Sequence, residues 1–141
     1  MDLEKTYRVL IADDHVVVRR GVRAMLETLP SVEICGEASD GNQTMHYIKS
    51  EKPDLLVLDL TMPEMNGLDV ARQIHALRPQ LPVVLASGYG GSLTDEDLRK
   101  AGIVELLQKP VSLPLLAAMI HRLLPAPGPG AKDGQTKPPP S

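Results

Sequence analysis

Three aspartates, a serine and a lysine stand where short apolar runs of this chain end. Asp13 and Asp14 follow Val9–Ala12, Asp59 follows Leu55–Leu58, Ser87 follows Val83–Ala86, and Lys109 comes just after Val104–Leu107. Carboxylates brought together repel: two unit charges about 4 Å apart at an effective dielectric near 20 cost roughly 4 kcal/mol. Either one becomes protonated or a cation neutralises the group. A hard divalent ion with oxygen ligands fits, and Mg²⁺, which keeps several of its waters, is the natural one. The cluster as read contains no histidine or cysteine, which argues against zinc. Lys109 offers a point charge for phosphate, the Ser87 hydroxyl can donate to a phosphoryl oxygen, and Gly88 leaves room for a bulky group. A carboxylate beside Mg²⁺, with a lysine and a hydroxyl aimed at the same point, is the equipment of a phosphoryl-accepting aspartate. Asp59, alone at the end of its run, is the candidate, with the metal and Lys109 neutralising charge on the transferred oxygens.

These residues need a frame that brings them to one edge. Three of the four runs are continuous rather than alternating, which suits strands buried on both faces of a parallel sheet; the fourth includes Glu105. Val32–Ala38 alternates, with Glu33, Cys35 and Glu37 on one side, and is expected to be an edge strand with a wetter face. Between the runs, Val18, Val22, Met25, Leu26 and Leu29 fall at helical spacing, as do Val70, Ala71, Ile74 and Leu77 before Pro79. Asn42–Lys49 gives the faintest helical pattern. Leu93–Ala101 carries acids early and bases late and stops at Gly102, the order that complements a helix dipole. Leu113–Leu124 opens after Ser112, a good N-cap. Strand–helix alternation repeated five times implies an α/β three-layer sandwich: a parallel sheet covered on both faces through right-handed crossovers. In such a sheet ligands sit outside the carboxyl ends of the strands, where all five polar residues fall.

The chain has 141 residues with a net charge of −3 and 43% hydrophobic residues, enough for one domain with a real core. Its mild acidity argues against direct nucleic-acid binding through a basic surface. No apolar run approaches the roughly 20 residues of a membrane span, and no secretory signal is evident in MDLEKTYRVL. The single Cys35 excludes an internal disulfide, and packing on the edge strand is its expected role. A cytoplasmic protein is expected. The domain is expected over residues 1–124. Residues 125–141 hold six prolines and three glycines and read as a flexible tail or truncated linker.

VLIADDH with Asp13 and Asp14, LLVLDLTMPEMNGLD with Asp59, VVLASGY with Ser87, and LLQKP with Lys109 together resemble the receiver domain of bacterial two-component response regulators. The resemblance covers about residues 6–124. It implies the flavodoxin-like doubly wound fold with strand order 2-1-3-4-5. It also implies that Asp59 accepts phosphoryl from a histidine kinase or histidine phosphotransfer protein. Asp14 would bind Mg²⁺ directly and Asp13 mostly through water, with the backbone carbonyl of Thr61 completing the protein ligands. Ser87 and Lys109 would hold the phosphoryl oxygens. The pairs Met62-Pro63 and Asn66-Gly67 would build the loop beyond the acceptor. Output would pass through the fourth helix, fifth strand and fifth helix to a partner protein or to an output domain outside this chain; a phosphorylation-linked homodimer is compatible with this. One departure stands out. The family often carries an aromatic residue three positions before the lysine, and here that position is Leu106, which turns attention to Ser87 and the loop Gly88–Ser92. The segment from Ser87 through LLQKP is similar to receivers of hybrid sensor kinases, and IADDHVVVRRGVRAMLE to regulators with DNA-binding output domains.

Other chemistries fit less well. Haloacid-dehalogenase-type phosphatases need an acid two residues after the nucleophile, where this chain has Thr61, and their acid pair follows the lysine rather than preceding it. The first loop lacks the hydroxyl- and glycine-rich cradle a flavin phosphate needs, and no GxxxxGK[ST] is present. His15, His46, His75 and His121 are scattered and are read as surface or half-buried side chains, although His15 lies close enough to the acids to tune them. Tyr89 is read as a loop residue able to gate the site.

Overall fold

The computed structural model describes residues 6–62, 65–88, 93–109 and 111–124. The elements run β1 (Tyr7–Ala12), α1 (Val16–Glu27), β2 (Val32–Ala38), α2 (Gly41–Glu51), β3 (Leu55–Asp59), β4 (Thr61–Met62), β5 (Met65–Asn66), α3 (Gly67–Leu77), β6 (Val83–Ser87), α4 (Asp95–Lys100), β7 (Ile103–Gln108) and α5 (Leu113–Leu123). The apolar runs become the central strands: β3 and β6 are buried along their whole length. The main sheet has the order β2-β1-β3-β6-β7, all parallel. Counting only its own strands, this is the expected 2-1-3-4-5. β4 and β5 form a separate antiparallel ribbon just beyond Asp59, where the resemblance implies a loop.

Alternating side chains of the buried strands feed two cores. Leu10, Leu56, Leu58, Val83 and Leu85 pack with Ile48 of α2 and with Val70, Ala71 and Ile74 of α3. Val9, Ile11, Leu55, Val57 and Val84 pack with Val22 and Leu26 of α1 and with Leu116, Met119 and Ile120 of α5. The sheet is therefore covered on both faces. Among the described residues no helix is long and apolar enough to cross a membrane.

Caps set the helix starts. Asp40 caps α2 by accepting from the Gln43 amide, so the faint pattern at Asn42–Lys49 is a well-begun helix of 11 residues. α4 is shorter than the expected Leu93–Ala101, because Thr94 and Asp97 close a reciprocal capping box that fixes the first turn after Thr94. It ends as expected before Gly102, whose φ of 75° suits glycine. Ser112 caps α5.

β2 is an edge strand, but its three polar-side residues do not share a face. The pairing with β1 shifts between Val9↔Ile34 and Leu10↔Gly36, leaving Cys35 as the extra residue of a bulge. One inserted residue reverses the side-chain alternation beyond it. Cys35 packs against the core under α2 and α3, whereas Glu37 turns to the α1 face and meets three arginines. Its carboxylate lies 2.7 Å from Arg19 Nε, 3.3 Å from Arg20 Nε and 2.5 Å from Arg23 Nη1. Burial opposes ionisation of Glu37, but the hydrogen bonds from Arg19 and Arg23 prevail and bring its pKa from 4.5 down to about 2. A depressed folded-state pKa contributes stability that is present above the unfolded value and lost as pH falls through the folded one. The wild-type chain should accordingly lose stability between about pH 4.5 and pH 2. Glu37→Gln should cost roughly 1–3 kcal/mol at neutral pH and show a flatter acid limb. Urea denaturation of both chains across that range checks this, and parallel acid limbs would refute it.

Candidate functional site

The sheet register carries the chemistry-bearing residues to one level. Ala12 pairs with Leu58, Asp59 with Ala86, and Ser87 with Gln108. Asp13, Asp59, Ser87 and Lys109 therefore leave four neighbouring strands at the same rim. Backbone hydrogen bonds continue the ladder past the strands: Asp13 N–H donates to the Ala38 carbonyl at 2.9 Å, Leu60 N–H to Ala86 at 2.8 Å, and Lys109 N–H to Ser87 at 2.8 Å. The β1–α1 turn is also held from α1, where Arg19 Nη1 donates to the Asp13 carbonyl at 2.8 Å while its Nε holds Glu37.

Lys109 Nζ joins two of the acids, 2.9 Å from Asp13 Oδ2 and 2.9 Å from Asp59 Oδ1. The pair it bridges is nearly dry: Asp13 is 4% and Asp59 2% exposed, and Ser87 beside them 1%. Burial pushes the Asp59 carboxyl above its ordinary pKa; the charges of Asp13 and Asp14 add to this, and the Lys109 hydrogen bond works against it. For Lys109 burial acts downward, yet the hydrogen bonds to Asp59 and Asp13 outweigh it and its pKa is raised. One ammonium faces three carboxylates. Two oxygens remain buried without a hydrogen-bond partner, Asp14 Oδ1 and Asp59 Oδ2. Orphaned buried acceptors are costly, and an oxygen-rich pair of this kind fits a hard divalent cation.

Asp13, Asp14 and Asp59 are thus brought together as the sequence implied, with Ser87 and Lys109 alongside. Gly88 is exposed, and a Cβ there would meet nothing within 4 Å apart from its own chain neighbours. Thr61 begins β4 two residues beyond Asp59. Pro63, Tyr89 and the rest of 89–92, Pro110 and the expected tail 125–141 lie outside the described residues. Leu106 packs against the core under α2, α3 and α4.

The expectation that no histidine enters the cluster is corrected. His15 Nδ1 lies 3.3 Å from both Asp13 Oδ1 and Asp14 Oδ1, and ligand atoms of Asp13, Asp14, His15 and Asp59 all come within 4.8 Å of one another. Adjacency in the sequence was the only signal for it. Gly67 is a second residue whose role shows only in space. A Cβ there would come within 2.6 Å of the Asp59 carbonyl and 2.7 Å of Leu60 Cα, and its amide donates to the Leu60 carbonyl. Only glycine lets α3 begin this close behind the end of β3.

Comparison with known proteins gives this rim its context. The family model described as "Response regulator receiver domain" matches residues 9–121. The chain belongs to the response regulator receiver family. The chemotaxis protein CheY of Thermotoga maritima is 34% identical over 103 residues, covering 73% of this chain and 85% of that protein. A protein-glutamate methylesterase/protein-glutamine glutaminase of Rhodospirillum rubrum is 39% identical over 114 residues, covering 77% of this chain but only 30% of the relative. Among solved structures, the receiver domain of the putative response regulator NarL from Mycobacterium tuberculosis superposes with a TM-score of 0.73 at 29% identity, covering 84% of this chain and 97% of that one. A LuxR-family two-component response regulator from Aurantimonas sp. reaches 0.77 at 26% identity, covering 87% and 89%. Receiver domains are regulatory modules of phosphorelay signalling by aspartate phosphorylation, and the family binds Mg²⁺ in its acidic pocket.

The electrostatics of the rim set a stability test. A carboxylate whose folded-state pKa is raised costs nothing below its unfolded value; the cost appears as pH rises through that value and is complete above the folded one. Asp59→Asn should therefore stabilise the metal-free protein at pH 7 by roughly 0.5–2 kcal/mol. The gain should vanish near pH 3.5, just below the carboxyl's ordinary value of 3.8. Thermal unfolding in chelator at the two pH values measures it, and a variant less stable than wild type at pH 7 would contradict the account.

Proposed function

We propose that this chain is a Mg²⁺-dependent phosphoryl acceptor, with Asp59 as the nucleophile and Asp13, Asp14, Asp59 and the Thr61 backbone carbonyl as the protein ligands of the ion. The observation that carries the reading is the split state of the Asp59 carboxylate. Lys109 holds Oδ1, while Oδ2 is buried with no partner. The donor is a phosphohistidine of a histidine kinase or histidine phosphotransfer protein. As an Asp59 oxygen bonds to phosphorus, the phosphorus–nitrogen bond to the imidazole breaks, and the leaving imidazole keeps its electron pair. Bound Mg²⁺ would supply Lewis-acid neutralisation of charge on the phosphoryl oxygens. Lys109 then exchanges part of its carboxylate pairing for a phosphoryl oxygen, and the Ser87 hydroxyl donates to another. The open space beside Gly88 leaves room for the group. The reading extends the receiver domain over residues 1–124, with 125–141 as linker or tail, and places its action in the cytoplasm.

Phosphorylation adds close to two negative charges. Turning a 1:99 population into 99:1 takes about 5.5 kcal/mol of differential stabilisation, and contacts from the phosphoryl group to Ser87 and Lys109 supply part of that. These residues end β6 and follow β7, so the face built by α4, β7 and α5 is the element they bias. It would act on an output partner protein, on an output domain outside this chain, or on a second copy in a phosphorylation-linked homodimer. Intact mass after incubation with acetyl phosphate tests the acceptor. A single Mg²⁺-dependent phosphoryl adduct is expected in the wild-type chain, absent from Asp59→Asn and reduced at least tenfold in rate by Lys109→Ala (roughly the loss expected for one transition-state charge contact). An adduct that persists in Asp59→Asn would place the acceptor elsewhere.

A further inference from the structure

His15 occupies the N-cap position of α1, yet its side chain caps nothing there. It turns back onto the acids instead. Its backbone amide donates to Asp13 Oδ1 at 2.9 Å, and its Nδ1 lies 3.3 Å from that same oxygen and 3.3 Å from Asp14 Oδ1. The contact with Asp14 is not a hydrogen bond, since Asp14 Oδ1 is among the buried oxygens left without a partner. His15 Nδ1 thus stands 3.3 Å from one oxygen of each acid, donating to Asp13 Oδ1 in the metal-free protein, and that distance is close to the separation of adjacent ligands around one ion. With metal–ligand bonds of about 2.0–2.1 Å in an octahedral sphere, adjacent ligand atoms sit about 3 Å apart. A fourth ligand atom, on Asp59, lies within 4.8 Å of the others. Asp59 is almost wholly buried and its Oδ2 has no partner, which independently marks the centre of the cluster as short of a cation.

A donor set that includes an imidazole nitrogen suits softer ions better than Mg²⁺. Imidazole nitrogen adds little affinity for Mg²⁺, which prefers oxygen, and much more for first-row transition ions. We propose that His15 Nδ1 is a nitrogen ligand of the Asp13–Asp14–Asp59 metal site, giving the site a preference for a transition divalent ion such as Mn²⁺ or Co²⁺ over Mg²⁺. The inference rests on the reading of these acids as a metal site and deepens it by assigning what selects the ion. His15 is 63% exposed at its side chain, so its removal spares the core. His46 and His121 are exposed and His75 is half-buried, and none of them joins a metal-capable group among the described residues.

Two measurements on the full chain test it. Titration calorimetry with Co²⁺ and with Mg²⁺ gives the ratio of the two affinities for wild type, His15→Ala and His15→Asn, the last keeping a good helix cap without an imidazole. The expected result is a Co²⁺ affinity at least about tenfold weaker in both variants, comparable to losses seen even for outer partners of metal ligands, with Mg²⁺ affinity unchanged. Pulsed electron paramagnetic resonance of the Mn²⁺-loaded chain should show a nitrogen coupling that His15→Ala abolishes. An affinity ratio that does not move, with no nitrogen coupling, overturns the proposal while leaving an all-oxygen Mg²⁺ site intact. Wild type that binds neither ion overturns it by removing the acid site itself, and Co²⁺ binding that survives Asp14→Asn overturns it by placing the Co²⁺ elsewhere on the chain. Of these, only the first would remove the basis of the proposed phosphoryl chemistry as well.

Discussion

The structure turns on a charge deficit. At one rim of the sheet a single ammonium, Lys109, stands between Asp13 and Asp59, with Asp14 beside them. Three carboxylates against one cation leave two negative charges in a place with little water. In a softer frame the acids would move apart or turn to solvent. Here they cannot, because Asp13 and Asp59 leave adjacent strands, β1 and β3, whose register is locked by the buried alternation of Leu10, Ile11, Leu56 and Val57. A slip of one residue would turn these side chains to the opposite core face. The apolar sheet therefore holds a polar arrangement that is unfavourable by itself, and the rim is left with unpartnered carboxylate oxygens rather than a settled ion pair.

Supports of the rim come from outside the acid cluster. Arg19 reaches from α1 to the Asp13 carbonyl and is itself oriented by Glu37 from the edge strand. The bulge at Cys35 makes this connection, since without the extra residue Glu37 would face α2 instead of α1. An irregularity at the periphery thus places the charge that steadies the first turn of the site. On the other side, the glycine at position 67 lets α3 start directly behind the backbone of Asp59 and Leu60. Both features constrain backbone rather than reacting atoms, which is how a site keeps its geometry while its side chains remain free to exchange partners.

Much of this was legible in the sequence. The central strands announce themselves as continuous aliphatic runs because both faces of a parallel sheet are buried, and Asp13, Asp59, Ser87 and Lys109 could be placed together because a parallel sheet brings every strand's carboxyl end to one edge. What could not be read has a common cause: it depends on pairing between segments distant in sequence. The bulges opposite Val9 and at the β6–β7 pairing exist only relative to a neighbouring strand. The β4–β5 ribbon is two residues a side and carries no periodicity. Glu33, Cys35 and Glu37 look equivalent as an alternating set, and only the extra residue separates them. His15 is the reverse case. It is next to the acids in the chain, but in an extended or a helical backbone its ring would point away from at least one of them, so only the actual turn shows that it faces both.

The same charge count bears on how the rim could switch. A phosphoryl group on Asp59 would bring close to two further negative charges into a site where Lys109 already serves two carboxylates. The Lys109 ammonium has three donors but one charge, and set against Asp13, Asp59 and a phosphoryl group it would leave a deficit that a second cation would relieve. Were Lys109 to turn to a phosphoryl oxygen, its pairing with Asp13 would weaken, and Lys109 is bonded through its own amide to the Ser87 carbonyl. Any such shift passes into β6 and β7 together. On β7 the next inward residue toward the α4 side is Leu106, a flexible aliphatic side chain packed against the core beneath α2, α3 and α4. It has no ring to flip and no hydroxyl to hydrogen-bond, so a shift reaching that position would be carried by packing volume and by the backbone of the two strand ends.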